Sequence, residues 1–148
     1  MSDGKKTITL TIFLLRFIIV LIIPVSISLL WLIPLYLQMR SISGMSSLNI
    51  IIPAYISMPF IALLLFCGER MLSRIKTGEI FTDSNINSIK TISKCCYLLC
   101  AIFLVSFFFY KPFVFFSVAL FFCGLILTVI SNVFSAAVRI KKENDYTI

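Results

Sequence analysis

Four long apolar stretches separated by short polar segments dominate the pattern of this chain. The first uncharged run, 17–37, holds 21 residues and would rise about 31 Å as a helix, enough to cross the hydrocarbon layer of a bilayer. The third run is the shortest and needs Ile92, Ser93 and a snorkelling Lys94 to reach a full span. The pattern predicts four membrane spans, at about 12–37, 48–68, 92–110 and 113–138.

The predicted fold is all-α: a single integral membrane domain over 1–148, arranged as a four-helix bundle with a cytoplasmic amphipathic loop. Hydrophobic residues make up 60% of the chain, charged residues make up 13%, and the mean hydropathy is +1.09. A soluble monomer of this composition would cover its own surface with large apolar side chains, whereas lipid solvates them. The lipid bilayer is therefore the first expected partner.

The distribution of the 13 Lys and Arg residues predicts the orientation of the protein. Only Arg40 and Lys111 lie in the two predicted outer connections, and the others lie near the N-terminus, in the loop 69–94 or in the tail 139–148. Because cytoplasmic segments retain positive charge, both termini and the loop are expected in the cytoplasm, in a plasma (cell) membrane. The same distribution explains the net charge better than nucleic-acid binding does, so no direct contact with nucleic acid is expected.

The loop 69–94 is the most informative polar segment. Its first part should continue the second helix until Gly78 ends it, and Thr82, Asp83 or Ser84 can cap a new helix. On that helix an isoleucine stripe recurs every three residues, at Ile86, Ile89 and Ile92. The stripe suits the membrane surface, a partner helix, or packing beneath the bundle, and the pattern leaves these alternatives open.

Candidate chemistry is sparse. The chain has no histidine, and its five cysteines lack paired metal-binding spacing. Arg16 and Lys94, each near the edge of its span, are the only charged residues within the predicted spans. No catalytic, metal or cofactor site is predicted, and we expect the protein not to be an enzyme. Ser131, Asn132 and Ser135 form a small polar cluster in the fourth span, for which interhelical hydrogen bonding is the favoured explanation over a binding site.

Two segments resemble a family of small bacterial membrane proteins, domain of unknown function 2975. They are the loop pattern Gly78, Ile80, Phe81, Thr82, Asn85 and the tail from Lys142 to Ile148, with its Glu-Asn-Asp-x-Thr-Ile sequence. The resemblance covers nearly the whole chain and implies four membrane-spanning helices. It also implies a helix-turn-helix transcription regulator as an expected cytoplasmic partner, since such regulators are often encoded beside members of the family.

Two functional hypotheses follow. The first is a non-enzymatic regulator that binds a cytoplasmic partner through a face drawn from the loop and the tail. Its residues are Arg70, Arg74, Lys76, Gly78, Phe81, Thr82, Asn85, Lys90, Glu143, Asn144 and Asp145. The alternative is a small transport, export or peptide-immunity protein, because four prolines interrupt the first two spans, at Pro24, Pro34, Pro53 and Pro59. Homo- and hetero-oligomers are both compatible with the sequence.

Overall fold

Four long helices make up the structure. The computed structural model describes the backbone of residues 2–39, 47–80 and 82–145, and side chains within 6–39, 47–80 and 82–143. The helices are α1 (Ser2–Met39), α2 (Leu48–Lys76), α3 (Asp83–Ser106) and α4 (Phe113–Asp145). Each is long and apolar enough to cross a membrane, and the described residues contain no strand. The prediction of an all-α chain with four such helices is confirmed.

The helices form an open row in chain order. Among the described residues, α1 approaches α2, α2 approaches α3 and α3 approaches α4, whereas no other pair of helices has Cα atoms within 8 Å. The prediction of a bundle is therefore too compact. In a bilayer this arrangement is not costly, because lipid solvates the apolar sides that a soluble protein would have to close into one core.

The extent of burial differs from helix to helix. The apolar window of α1 contains no buried residue, while 28% of the corresponding window of α3 is buried. The fully enclosed side chains of α3 include Ile89, Cys95, Cys96 and Leu99. Helix α3 therefore contains more buried residues than any other helix in the described part of the chain.

The prolines of the first two spans lie inside continuous helices. Pro24 and Pro34 lie in α1, and Pro53 and Pro59 lie in α2. Close to Pro24, the hydroxyl of Tyr55 donates a hydrogen bond to the carbonyl oxygen of Ser26, which joins α2 to α1. Such contacts from neighbouring helices are a common accompaniment of proline in membrane helices.

The predicted loop 69–94 is mostly helical. Its first part belongs to α2 and its second part to α3, so the predicted amphipathic helix and the predicted third span are one continuous helix. Helix α3 ends at Ser106, four residues before the predicted limit at Tyr110, and turns occupy 107–109 and 111–112. Pro112 disfavours a helical conformation at the preceding Lys111, which is consistent with the break.

Candidate functional site

The end of α2 is closed by a glycine-based cap. Gly78 has a φ of +94°, a left-handed conformation that glycine adopts without steric cost. Its N–H donates to the carbonyl oxygen of Ile75, and the N–H of Glu79 donates to that of Arg74, both with a nitrogen–oxygen distance of 3.1 Å. This pair of hydrogen bonds is the Schellman motif, so the prediction that Gly78 ends the helix is confirmed.

The start of α3 is capped by Thr82. Its backbone is extended, with φ −127° and ψ 148°, and its Oγ1 accepts a hydrogen bond from the N–H of Asn85 at 3.4 Å. Asp83 places a negative charge in the first turn of α3, where the helix dipole favours it. Of the three predicted capping residues, Thr82 is the one that caps the helix.

Asn85 is the centre of the turn between α2 and α3. It is fully buried, and its Nδ2 donates to the carbonyl oxygens of Glu79 at 2.7 Å and Ile80 at 2.9 Å. One side-chain amide therefore satisfies two backbone acceptors of the connection. A buried amide used in this way fixes the path of the turn and does not present its polar atoms to a partner.

Arg74 joins the two helices from the α2 side. Its guanidinium Nη1 donates to the carbonyl oxygen of Ser84 at 3.2 Å, to Oγ of Ser88 at 3.3 Å and to Oδ1 of Asn85 at 3.5 Å. Nη1 carries two N–H groups, so at least two of these three acceptors share one of them. Arg74, Gly78, Thr82 and Asn85, all predicted as partner-face residues, are therefore used to build the α2–α3 turn.

The isoleucine stripe of α3 is largely internal. Ile86 is 6% exposed and Ile89 is 1% exposed, while Ile92 is only partly buried. The sequence left three environments open for this stripe: the membrane surface, a partner helix, or packing within the protein. Ile86 and Ile89 pack within the protein, so their side chains are not open to a partner helix.

Ion pairs join neighbouring helices at the same charged end of the row. Arg16 on α1 lies 2.7 Å from Glu69 on α2, and Lys142 on α4 lies 2.8 Å from Asp83 on α3. These pairs are partly or largely exposed, so each contributes about 0 to 1 kcal/mol to stability. The second pair shows that the end of α4 lies beside the first turn of α3.

The other predicted face residues are more accessible. Arg70 is exposed, with its guanidinium carbon 5.7 Å from the centre of the Phe66 ring, and Lys76 and Lys90 are exposed. Glu143 is exposed and lies 3.8 Å from Arg139 on the same helix. Three predicted side chains lie outside the described part of the chain: Phe81, Asn144 and Asp145. Tyr146, Thr147 and Ile148 of the predicted tail also lie outside it.

A polar contact region between α3 and α4 was missed by sequence reasoning. Ser93 Oγ donates to the carbonyl oxygen of Gly124 at 3.0 Å and lies 2.9 Å from Thr128 Oγ1, and the Tyr97 hydroxyl lies 3.2 Å from the same Oγ1. A Cβ placed on Gly124 would be 2.9 Å from Cε1 of Tyr97, so the helices approach closely there. The four-residue spacing of Gly124 and Thr128 is the small-residue signal that would have indicated this contact.

The described side chains offer little metal or disulfide chemistry. All five cysteines are free, and no group of three His, Cys, Asp or Glu residues in the described part of the chain is arranged to hold a metal ion. Ser135, one of the polar residues of the fourth predicted span, donates to the carbonyl oxygen of Ser131 within its own helix. This hydrogen bond does not connect two helices.

Comparisons with known proteins give one match. A family model described as a protein of unknown function, DUF2975, matches residues 8–148. The match includes the complete α2–α3 turn and the end of α4. No curated protein and no solved structure matches the chain.

Proposed function

The chain belongs to the DUF2975 family of proteins of unknown function, and from that premise we propose that it is a non-enzymatic regulator in a bacterial plasma membrane that binds a cytoplasmic partner protein. In this proposal all four helices cross the bilayer and both termini lie in the cytoplasm. The excess of Lys and Arg at the Glu69–Lys94 end of the row supports the orientation.

The observation that carries the proposal is the preformed polar end of the helix row. The α2–α3 turn is fixed by Asn85 and Arg74, and the Lys142–Asp83 pair holds α4 beside it. A surface that is already ordered loses less conformational entropy when a partner binds. At the opposite end of the row, α3 and α4 are joined by a short turn.

The proposed contact surface, here called the cytoplasmic face, consists of the exposed side chains Arg70, Lys76, Lys90 and Glu143. Three cations and one acid suit a partner that carries mainly acidic side chains. From the family resemblance we propose that this partner is a helix-turn-helix transcription regulator. Holding such a protein at the membrane would change transcription without any catalytic step, and no enzymatic activity is proposed.

Site-specific photo-crosslinking in cells tests the proposal. A photoreactive amino acid at residue 87, where the native Asn87 side chain is exposed, probes the charged end without disturbing the turn. The same residue at position 111 probes the opposite end. We expect a specific protein adduct from position 87 alone. Equal adducts at both positions, or none at 87 while the protein is correctly inserted, would contradict the proposal.

A charge variant sharpens the same experiment. Arg70→Gln with Lys76→Gln removes two exposed cations that do not hold the α2–α3 turn, unlike Arg74. The matched control is Arg40→Gln with Lys111→Gln, which removes the two cations of the predicted outer connections. The first variant should weaken the position-87 adduct at least about tenfold, because charge complementarity contributes to association rate and affinity, and the control should not.

A second candidate function is supported by an apolar groove between α2 and α3. The groove encloses about 550 Å³ and is lined on α2 by Ile52, Pro53 and Ile56, and on α3 by Ala101 and Val105. It would suit an apolar or peptide substrate of a small transport, export or immunity protein. Overexpression should then change peptide sensitivity or substrate flux, and Ala101→Phe should abolish the effect. Unchanged sensitivity and flux on overexpression would remove this candidate.

A further inference from the structure

A second cleft lies between α3 and α4, near the charged end of the row. It encloses about 190 Å³. On α3 it is lined by Lys90 and Lys94, which are four residues apart and share one side of the helix. On α4 it is lined by Ser131 and Asn132. Tyr97 and Thr128 of the polar contact region also line it, so the cleft continues the hydrogen-bonded contact between the helices.

The hydroxyl of Ser131 is the unusual group in this cleft. The residue is 2% exposed, and its Oγ has no hydrogen-bond partner among the described residues. A buried polar atom is normally paired, because leaving it unpaired costs free energy. The hydroxyls of Tyr97 and Thr128, in contrast, lie within hydrogen-bonding distance of each other. Ser131 therefore offers an unused hydrogen-bonding group in the cleft.

The charge of the cleft selects anions. Lys90 and Lys94 are both exposed, and neither makes a hydrogen bond or ion pair with the described residues. The lining contains no Asp or Glu. Ammonium groups, a serine hydroxyl and an asparagine amide are all donors from which phosphate oxygens can accept hydrogen bonds.

Apolar side chains continue from the cleft toward the middle of the spans. Leu98 lies one turn beyond Lys94 on α3, and Leu125 lies one turn before Thr128 on α4. Both are exposed, at 51% and 41%. A ligand with a phosphate at one end and hydrocarbon at the other would match the polar cleft followed by the apolar leucines. Free phosphate would contact only the cleft.

We propose that the α3–α4 cleft binds the phosphate group of an anionic phospholipid from the cytoplasmic leaflet. Lys90 and Lys94 neutralise the phosphate, Ser131 donates its free hydroxyl to a phosphate oxygen, and the acyl chains lie along Leu98 and Leu125. This inference rests on the membrane orientation proposed above, but it does not depend on a protein partner. Lys90 then has two proposed roles, one in lipid binding and one on the cytoplasmic face.

The test uses the full-length protein purified in a non-ionic detergent. Thermal unfolding is followed while phosphatidylglycerol, phosphatidylcholine or inorganic phosphate is added, and bound lipid is counted by native mass spectrometry. We expect phosphatidylglycerol to raise the unfolding temperature in a saturable way, because a ligand that binds only the folded state stabilises it. Phosphatidylcholine should have little effect. Equal stabilisation by phosphatidylcholine, or by inorganic phosphate at the same concentration, would overturn the proposal.

Two variants test the residues. Lys90→Gln with Lys94→Gln should weaken phosphatidylglycerol binding at least about tenfold, since each interfacial cation contributes severalfold to the affinity for anionic lipid. The matched control, Lys6→Gln with Lys141→Gln, removes two exposed cations outside the cleft and should change the affinity less than about threefold. Equal losses in the two double variants would show non-specific attraction to charge and would overturn the proposal.

Ser131→Ala keeps the test decisive if the double variant does not fold. Removing an unpaired buried hydroxyl should leave the lipid-free unfolding temperature unchanged or raise it, while phosphatidylglycerol affinity falls severalfold. An unchanged affinity would overturn the assignment of Ser131. Because these measurements use purified protein and lipid, their failure is distinguishable from the absence of a photo-crosslinked protein in cells.

Discussion

Replacing Asn85 with alanine removes the side chain on which the α2–α3 turn depends. The substitution deletes two hydrogen bonds to the carbonyl oxygens of Glu79 and Ile80, and it removes one acceptor from Arg74. Each lost hydrogen bond costs about 1 kcal/mol, and three are affected, so the expected loss of stability is about 2 to 4 kcal/mol. Because Asn85 is fully buried, the substitution also leaves unfilled space beneath the turn.

Asn87→Ala is the matched control for this prediction. It makes the same chemical change two residues along α3, at an exposed side chain, and alanine is the better helix former there. The free energy of unfolding is measured by reversible denaturation in mixed micelles, and hydrogen exchange at Glu79 and Ile80 reports the turn itself. We expect Asn85→Ala to lose stability and exchange protection while Asn87→Ala loses neither. Equal behaviour of the two variants would refute the structural role of Asn85.

Three glycines give the remaining predictions, with the same unfolding measurement. Gly78→Ala should cost about 1 to 2 kcal/mol through its left-handed backbone alone, since no atom lies within 4 Å of the added Cβ. At Gly68, inside α2, an added Cβ also meets open space, and the backbone is helical, so Gly68→Ala should stabilise the protein by up to about 1 kcal/mol. If Gly78→Ala and Gly68→Ala both destabilised the protein, the backbone explanation would be contradicted. Gly124→Ala should cost about 1 to 3 kcal/mol because its Cβ meets the Tyr97 ring, and no loss there would mean that α3 and α4 are not so close.

The elements of the fold that depend on local chemistry were predictable from the sequence. Apolar runs of sufficient length indicated four helices, Gly78 marked a helix end, and the sequence narrowed the next N-cap to Thr82, Asp83 or Ser84, because left-handed backbone and N-caps favour particular residues. The open row was not predictable. Hydropathy does not indicate which spans pack against each other, because lipid solvates an apolar helix face whether or not another helix covers it.

The candidate site shows a different limit. Arg74 and Asn85 have the polarity expected of partner-binding residues, but the structure uses both to join α2 and α3. Sequence cannot separate these roles, because a polar residue beside a turn is equally compatible with an outward and an inward side chain. Ser93 and Thr128 were missed for a related reason: they lie in spans where hydroxyl groups form local backbone hydrogen bonds as readily as contacts between helices.

The loop residues that resemble the family pattern and the exposed charges beside them are therefore of two physical kinds. Gly78, Thr82 and Asn85 form the turn, so a shared turn geometry is sufficient to explain why the pattern contains them. A partner that binds the cytoplasmic face would instead have to distinguish exposed charges such as Arg70 and Lys76, which lie outside the loop pattern. Proteins that share the turn could consequently hold different partners on the same scaffold, because exposed charges can change with little cost in stability while the buried amide cannot.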